Sequence, residues 1–140
     1  MAGDPVYLDT SGLLAVMDAD DACHAQAAAA WSDLLGRRAN FVMTDYVRLE
    51  TWALVQRRLG IEASEDLRLR ILPLCEVEAV GEAGFEALAR QVGLLKRRDV
   101  SLVDLSSFEC MRRRGLRRAF AFDRHFGGQG FVTPESGDWG

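Results

Sequence analysis

Short apolar strands separated by helical segments predict an α/β fold, with a parallel sheet of four or five strands covered by helices on both faces. Three observations carry that expectation. The strand segments are short and mostly apolar, as in strands buried on two sides. The segments between them show helical spacing, clearest in Phe85, Leu88, Ala89, Val92 and Leu95. Capping residues and breakers fall where the character changes: Thr44, Ser64 and Ser101 at helix starts, Gly36, Gly60, Pro73 and Gly115 at helix ends.

In chain order, Pro5 to Leu8 reads as a buried strand ending at Asp9. Thr10 or Ser11 caps a helix through Leu13, Leu14 and Met17. Asp21 caps a second helix, Ala22 to Leu35, which Gly36 stops. Phe41 to Met43 is the second strand, and Thr44 or Asp45 caps a helix to about Leu59, ended by Gly60. Ser64 opens another helix through Leu72, and Pro73 ends it. Leu74 to Val80 alternates in character, the pattern of an edge strand. The helix around Phe85 to Leu95 follows, then one from Ser101 to Gly115. Arg118 to Phe122 is the fourth strand, ending at Asp123. Gly127 to Gly130 is a turn, Phe131 to Thr133 a fifth strand, and Pro134 to Gly140 a loose polar tail.

The chain has 140 residues, 49% hydrophobic and 27% charged, enough for one domain with a real core. No run approaches the roughly 18 apolar residues a membrane span needs. The N-terminus, Met1 to Pro5, has no basic segment before an apolar one, so no signal peptide is expected. Cys23, Cys75 and Cys110 are widely spaced and odd in number, which suggests neither a zinc site nor a disulfide framework and fits a reducing, cytoplasmic setting. The net charge of −4 hides an uneven distribution, because Arg90 to Arg124 holds ten basic residues against four acids. Arg97, Arg98, Arg112, Arg113, Arg114, Arg117 and Arg118 are candidates for a phosphate track or a partner-facing surface. No phosphate loop, dinucleotide fingerprint or nucleophile elbow is present, and Lys96 is the sole lysine.

Four acids stand beside or within apolar sequence: Asp9, Glu50, Asp104 and Asp123. A buried carboxylate without a partner costs several kcal/mol or shifts its pKa until it is neutral, so such acids imply a partner. A hard divalent cation is the natural one. Each acid also has a plainer role. Asp9 could cap a helix, although Thr10 and Ser11 could do so in its place. Glu50 shares the stripe of Val47 and Leu54 and could pair with Arg48, Arg57 or Arg58. Ser101-x-x-Asp104 has the form of a capping box, and Asp99 could be the ligand in place of Asp104. Asp123 could be a turn residue. His24 and His125 read as structural or surface residues, since neither has histidine or cysteine at metal spacing.

The ordered set of motifs resembles the PIN-domain ribonucleases, and among them the VapC-type toxins of toxin–antitoxin pairs. The resemblance runs through Tyr7-Leu-Asp-Thr-Ser-Gly-Leu-Leu14, His24 with Ala25 and Ala27, Thr44 to Glu50, Ser101-Leu-Val-Asp104 and Phe122-Asp-Arg-His-Phe126. It departs at Asp45, where many relatives carry asparagine or another small polar residue. What it implies is a three-layer α/β/α sandwich, a single nuclease domain over residues 1–133 with a tail over 134–140, and Mg²⁺ or Mn²⁺ held by Asp9, Glu50, Asp104 and Asp123. Thr10, Ser11 and Ser101 would support those acids. The resemblance further implies RNA cleavage to a 5′-phosphate and a 3′-hydroxyl, homodimers, and an antitoxin that obstructs the site. A catalytically idle binding module with the same sheet is the alternative. An aspartate-nucleophile phosphatase would want a second aspartate two residues after Asp9, where Ser11 stands, and a well-placed lysine.

Overall fold

A computed structural model of the chain describes residues 4–139. The N-terminal reading at Met1 to Gly3 and the last residue of the tail, Gly140, lie outside them. The elements are β1 (Val6–Leu8), α1 (Thr10–Met17), α2 (His24–Gly36), β2 (Phe41–Thr44), α3 (Asp45–Leu59), α4 (Ile61–Asp66), β3 (Cys75–Glu78), α5 (Gly81–Leu95), α6 (Leu102–Arg114), β4 (Arg118–Phe120) and α7 (Arg124–Gly128). The four strands form one parallel sheet in the order β3-β2-β1-β4. Helices flank it as an α/β/α sandwich. Every residue of β1 and β2 is buried, so both faces of these strands are covered. Cys75–Glu78 is the edge strand that its mixed character implied, and it stays partly open.

Several boundaries differ from the sequence expectation, each for a local reason. The second helix starts at His24, because the Asp21 carboxylate turns back to accept a bond from the Cys23 N–H (2.8 Å) in a tight turn before it. Helix α4 opens at Ile61 directly after Gly60, whose φ of 99° permits the sharp re-entry. Ser64 therefore lies inside the helix, and its hydroxyl donates to the Ile61 carbonyl (2.7 Å). A π-helical turn over Leu67–Ile71 and a 3₁₀ turn over Leu72–Leu74 follow. Arg118 to Phe122 forms a strand only as far as Phe120, and the fifth strand shrinks to one bridge between Arg118 and Val132. Residues 127–128 end a short helix, α7, rather than forming a bare turn. The tail is anchored, with Trp139 stacked 4.3 Å from the Arg118 guanidinium and its carbonyl accepting from Arg118 Nη2 (2.9 Å).

The core centres on Tyr7, Phe108, Phe120 and Phe126, all fully buried. Phe108 meets Phe126 edge-on at 5.0 Å, which locks α6 to α7. Cys23, Cys75 and Cys110 are free, and burial pushes the Cys75 and Cys110 thiols up to about 12, so neither behaves as a ready thiolate. No helix among the described residues is long and apolar enough to cross a membrane.

The joint between β1 and β4 sets the position of everything at the carboxyl end of the sheet. The Asp9 N–H donates to the Phe120 carbonyl (3.2 Å), and the Phe122 N–H donates to Ser11 Oγ (2.9 Å). Gly12 lets α1 lie on this joint, since a Cβ there would come within 2.1 Å of the Phe120 carbonyl oxygen. Backbone cannot yield as a flexible side chain does. Gly12→Ala is therefore expected to destabilise the fold by at least about 2 kcal/mol, read as a fall in the thermal midpoint. An unchanged midpoint would show that the joint is looser than this geometry requires.

Candidate active site

Strand order decides where a site can form. The chain runs outward from β1 to β2 and β3, then returns to place β4 on the other side of β1. The connections leave β1 and β4 in opposite directions, which opens a crevice at their carboxyl ends. Asp9 follows β1 directly, and Asp123 lies just beyond β4. Helix α6 brings Asp104 to the same place through its first turn.

Each of the three aspartates is held at a helix N-terminus. Asp9 is the N-cap of α1: its Oδ2 accepts from the Ser11 N–H (3.1 Å) and the Ser11 hydroxyl (2.6 Å). This overturns the expectation that Thr10 or Ser11 caps the helix. Asp104 closes a reciprocal capping box, its Oδ2 accepting from the Ser101 N–H and its own N–H donating to Ser101 Oγ, both at 3.0 Å. Asp123 caps α7, its Oδ1 accepting from the His125 N–H (2.9 Å). Among the described residues, the second oxygen of each aspartate accepts no hydrogen bond. Capping thus uses one oxygen of each carboxylate.

Ligand atoms of Asp104, Asp123 and His125 all lie within 4.8 Å of one another. The sequence reading had set His125 aside. Its Nδ1 is 2.8 Å from Asp123 Oδ1, though in an orientation that makes no hydrogen bond, and its Nε2 is 3.3 Å from Asp99 Oδ2. The only signal in the sequence was the spacing Asp123-Arg-His125 at the start of a helix too short to be legible.

The charges are poorly balanced. Burial pushes the Asp9 carboxyl up from its ordinary 3.8 to about 6, against the opposing Ser11 hydrogen bonds and with help from Asp104 and Asp123. Burial raises Asp104 too, and Asp123 adds to it. The Asp99 contact raises His125, while the Arg97 guanidinium holds Asp99 well below the usual carboxylate range. Several carboxylates with free oxygens, and only one neutralisable imidazole among them, form a donor set that fits a hard divalent cation.

Glu50 and the remaining candidates are placed less directly. Glu50 is half-buried on α3 and makes no ion pair with Arg48, Arg57 or Arg58 among the described residues. Its neighbour Thr51 shares a buried 2.8 Å hydroxyl contact with Thr10, beside Asp9, so α3 is tied to the crevice one residue from Glu50. Neither Asp9 nor Glu50 belongs to the group of atoms within 4.8 Å. Asp45 Oδ1 accepts from the Val80 N–H (3.0 Å) and so secures the loop after β3. Asp99 is paired with Arg97 (2.7 Å). His24 accepts a structural role, its Nδ1 lying 2.8 Å from the Ala15 carbonyl.

The arginines divide into two groups. Arg113 pairs with Glu78 and Glu109, and Arg114 with Glu76 and Glu78, holding the end of α6 to edge strand β3. They lower the Glu78 carboxyl to about 2. Arg112 bonds Gln129 and lies over Phe108 and Phe131, and Arg118 holds Trp139. These four arginines all make contacts within the chain. Arg98 and Arg117 make no ion pair among the described residues.

A parallel sandwich that gathers carboxylates where its strand order reverses suits metal-assisted chemistry on phosphate esters, and PIN domains are nucleases of that kind. The chain belongs to the PIN-domain family, whose pattern matches residues 6–131. Curated relatives from two strains of Mycobacterium tuberculosis, each named 23S rRNA-specific endonuclease VapC20, are 35% identical over 133 residues, covering 91% of this chain and 95% of theirs. The crystal structure of M. tuberculosis VapC20, described as a Sarcin-Ricin loop cleaving toxin, superposes with a TM-score of 0.78 at 31% identity, covering 91% of this chain and 96% of that one.

The raised Asp9 carboxyl has a sign that can be measured. Between pH 3.8 and about 6 the unfolded chain ionises Asp9 while the native chain keeps its proton. The native state then binds more protons, so stability falls as pH rises through that window and levels off above it. The metal-free protein is expected to lose up to about 3 kcal/mol from this group. Asp9→Asn should recover most of that at pH 7 and flatten the profile, as read by denaturant unfolding in EDTA. A variant less stable than wild type at pH 7 would show that the carboxylate is not a burden to the metal-free fold.

Proposed function

We propose that this chain is an endoribonuclease dependent on Mg²⁺ or Mn²⁺, acting as the cytoplasmic toxin of a toxin–antitoxin pair, with residues 1–133 as its catalytic unit. The observation that carries the reading is the gathering of Asp104, Asp123 and His125 ligand atoms within 4.8 Å of one another, with buried Asp9 near enough to feel the charge of both aspartates. The relatives named for cleaving 23S rRNA make ribosomal RNA the first substrate to test.

In this reading Asp9, Asp104 and Asp123 would hold the cation, and Glu50 would add a carboxylate from α3. Once bound, the cation supplies positive charge for the scissile phosphate and for its entering and leaving oxygens. Ser11 orients Asp9, and its hydroxyl also fastens the Phe122 N–H, so one side chain registers β1 against β4. Ser101 orients Asp104, and the His125 N–H orients Asp123. Thr10 fixes α1 to α3 through Thr51. One carboxylate of the group orients the attacking water. Attack on phosphorus with rupture of the P–O3′ bond leaves a 5′-phosphate and a 3′-hydroxyl. An antitoxin would silence the enzyme by covering the acids, and a homodimer is the expected assembly.

Asp104→Asn and Asp123→Asn are expected to lower cleavage of 23S rRNA on the order of 100-fold or more, with unchanged far-UV circular dichroism. EDTA should abolish wild-type cleavage, and Mg²⁺ or Mn²⁺ should restore it. Persistent cutting by both folded variants, or by wild type in EDTA, would refute the assignment.

A further inference from the structure

The turn between α5 and α6 carries a cationic lip against the acid cluster. Lys96 ends α5 in the left-handed conformation (φ 52°), and Arg97, Arg98 and Asp99 follow, all exposed, before buried Val100 anchors the turn. Asp99 draws this turn to the site. Its Oδ1 and Oδ2 accept from Arg97 Nε (3.1 Å) and Nη2 (2.7 Å), and its Oδ2 is also 3.3 Å from His125 Nε2 and 3.7 Å from Arg124 Nη2. His125 belongs to the group formed with Asp104 and Asp123. A single carboxylate therefore holds two guanidiniums beside the carboxylate crevice, with Arg98 and Lys96 adjoining in the chain.

The lip has four permanent cations to one acid, Asp99, and its outer arginine, Arg124, is 82% exposed. That excess stands next to a cluster of like-charged acids that would repel a polyanion. By contrast, Arg113 and Arg114 are neutralised by Glu76, Glu78 and Glu109 along the β3 edge. A fork of guanidiniums suits phosphate oxygens, and flanking phosphates are what a strand must present on either side of a scissile bond.

We propose that Lys96, Arg97, Arg98 and Arg124, organised by Asp99, grip the RNA phosphates adjoining the one that is cut, and that the α6 arginines do not. This rests on the nuclease reading and adds the binding surface that the acids cannot provide. Asp99 is a positioning residue: it acts on RNA only through Arg97 and Arg124.

The test is binding of a fluorescein-labelled single-stranded oligoribonucleotide by anisotropy, across a salt series, in EDTA so that no cleavage intervenes. Wild type is compared with Arg98→Ala/Arg124→Ala, with Asp99→Asn, and with Arg113→Gln, its fold checked by circular dichroism, as a control away from the lip. Each lost phosphate contact should reduce the slope of log affinity against log salt by about 0.7. The double variant should bind roughly 10-fold or more weakly with a shallower slope, and should raise KM in the metal-supplied reaction with kcat little changed. Asp99→Asn should weaken binding less, with the slope shifted in the same direction, while Arg113→Gln stays within about twofold of wild type with an unchanged slope. If the double variant binds and cuts with wild-type affinity and KM, the lip is not the RNA surface although the nuclease reading stands. If it does so yet loses affinity for poly-glutamate, the lip serves an acidic protein partner and the proposal is overturned. If wild type neither binds nor cuts RNA, both readings fall together.

Discussion

Everything at the carboxyl end of the sheet depends on how α1 and β4 are fastened to Asp9. Ser11 makes two bonds with its hydroxyl: it donates to Asp9 Oδ2 and accepts from the Phe122 N–H. One hydroxyl thereby orients the first acid and sets the strand end that leads to the fourth, Asp123. Close approach of α1 is possible only because residue 12 has no side chain. The same economy recurs in the other two aspartates. A helix N-terminus offers unpaired N–H groups and a favourable dipole, so it can hold a carboxylate by one oxygen without consuming the other. Three such termini, from α1, α6 and α7, meet at one crevice.

This arrangement carries a cost that is visible in the electrostatics. Desolvation and mutual repulsion raise Asp9 to about 6, and Asp104 shifts in the same direction. The metal-free fold is therefore strained electrostatically where a cation would relieve it. Asp99 raises His125, and the contacts of His125 to Asp99 and Asp123 couple the crevice to the turn before α6. The basic residues then sort by partner. Arg113 and Arg114 at the end of α6 close the edge of the sheet, while Arg97 and Arg124 gather on Asp99.

Much of this was legible in the chain. The apolar runs at Val6 to Leu8 and Phe41 to Met43 can only be strands buried on two faces. The Ser101-x-x-Asp104 spacing announced its capping box, and Gly60 and Gly115 announced helix ends. The helix over Phe85 to Leu95 declared itself by periodicity. Less legible were features whose cause is not local. The π-helical turn at Leu67–Ile71 has no pattern of its own. The apolar segment Phe131 to Thr133 had strand character, but only Val132 reaches Arg118 to pair. Nothing near Arg113 and Arg114 in sequence reveals that they pair with Glu76 and Glu78, more than thirty residues away. His125 lacked any histidine or cysteine partner at metal spacing, since its neighbours in space are aspartates from two other segments.

By itself the sequence determined the α/β class, most of the strands and helices, and the positions where an acid had no business unless something held it. Those are matters of periodicity, capping and desolvation, which act over a few residues. Tertiary structure alone decided which oxygens meet, which arginines are spent on ion pairs, and that Asp99 and His125 join the crevice. These outcomes depend on strand order and on the β1–β4 joint, where groups over a hundred residues apart are brought within hydrogen-bonding distance, and no local pattern encodes such distances.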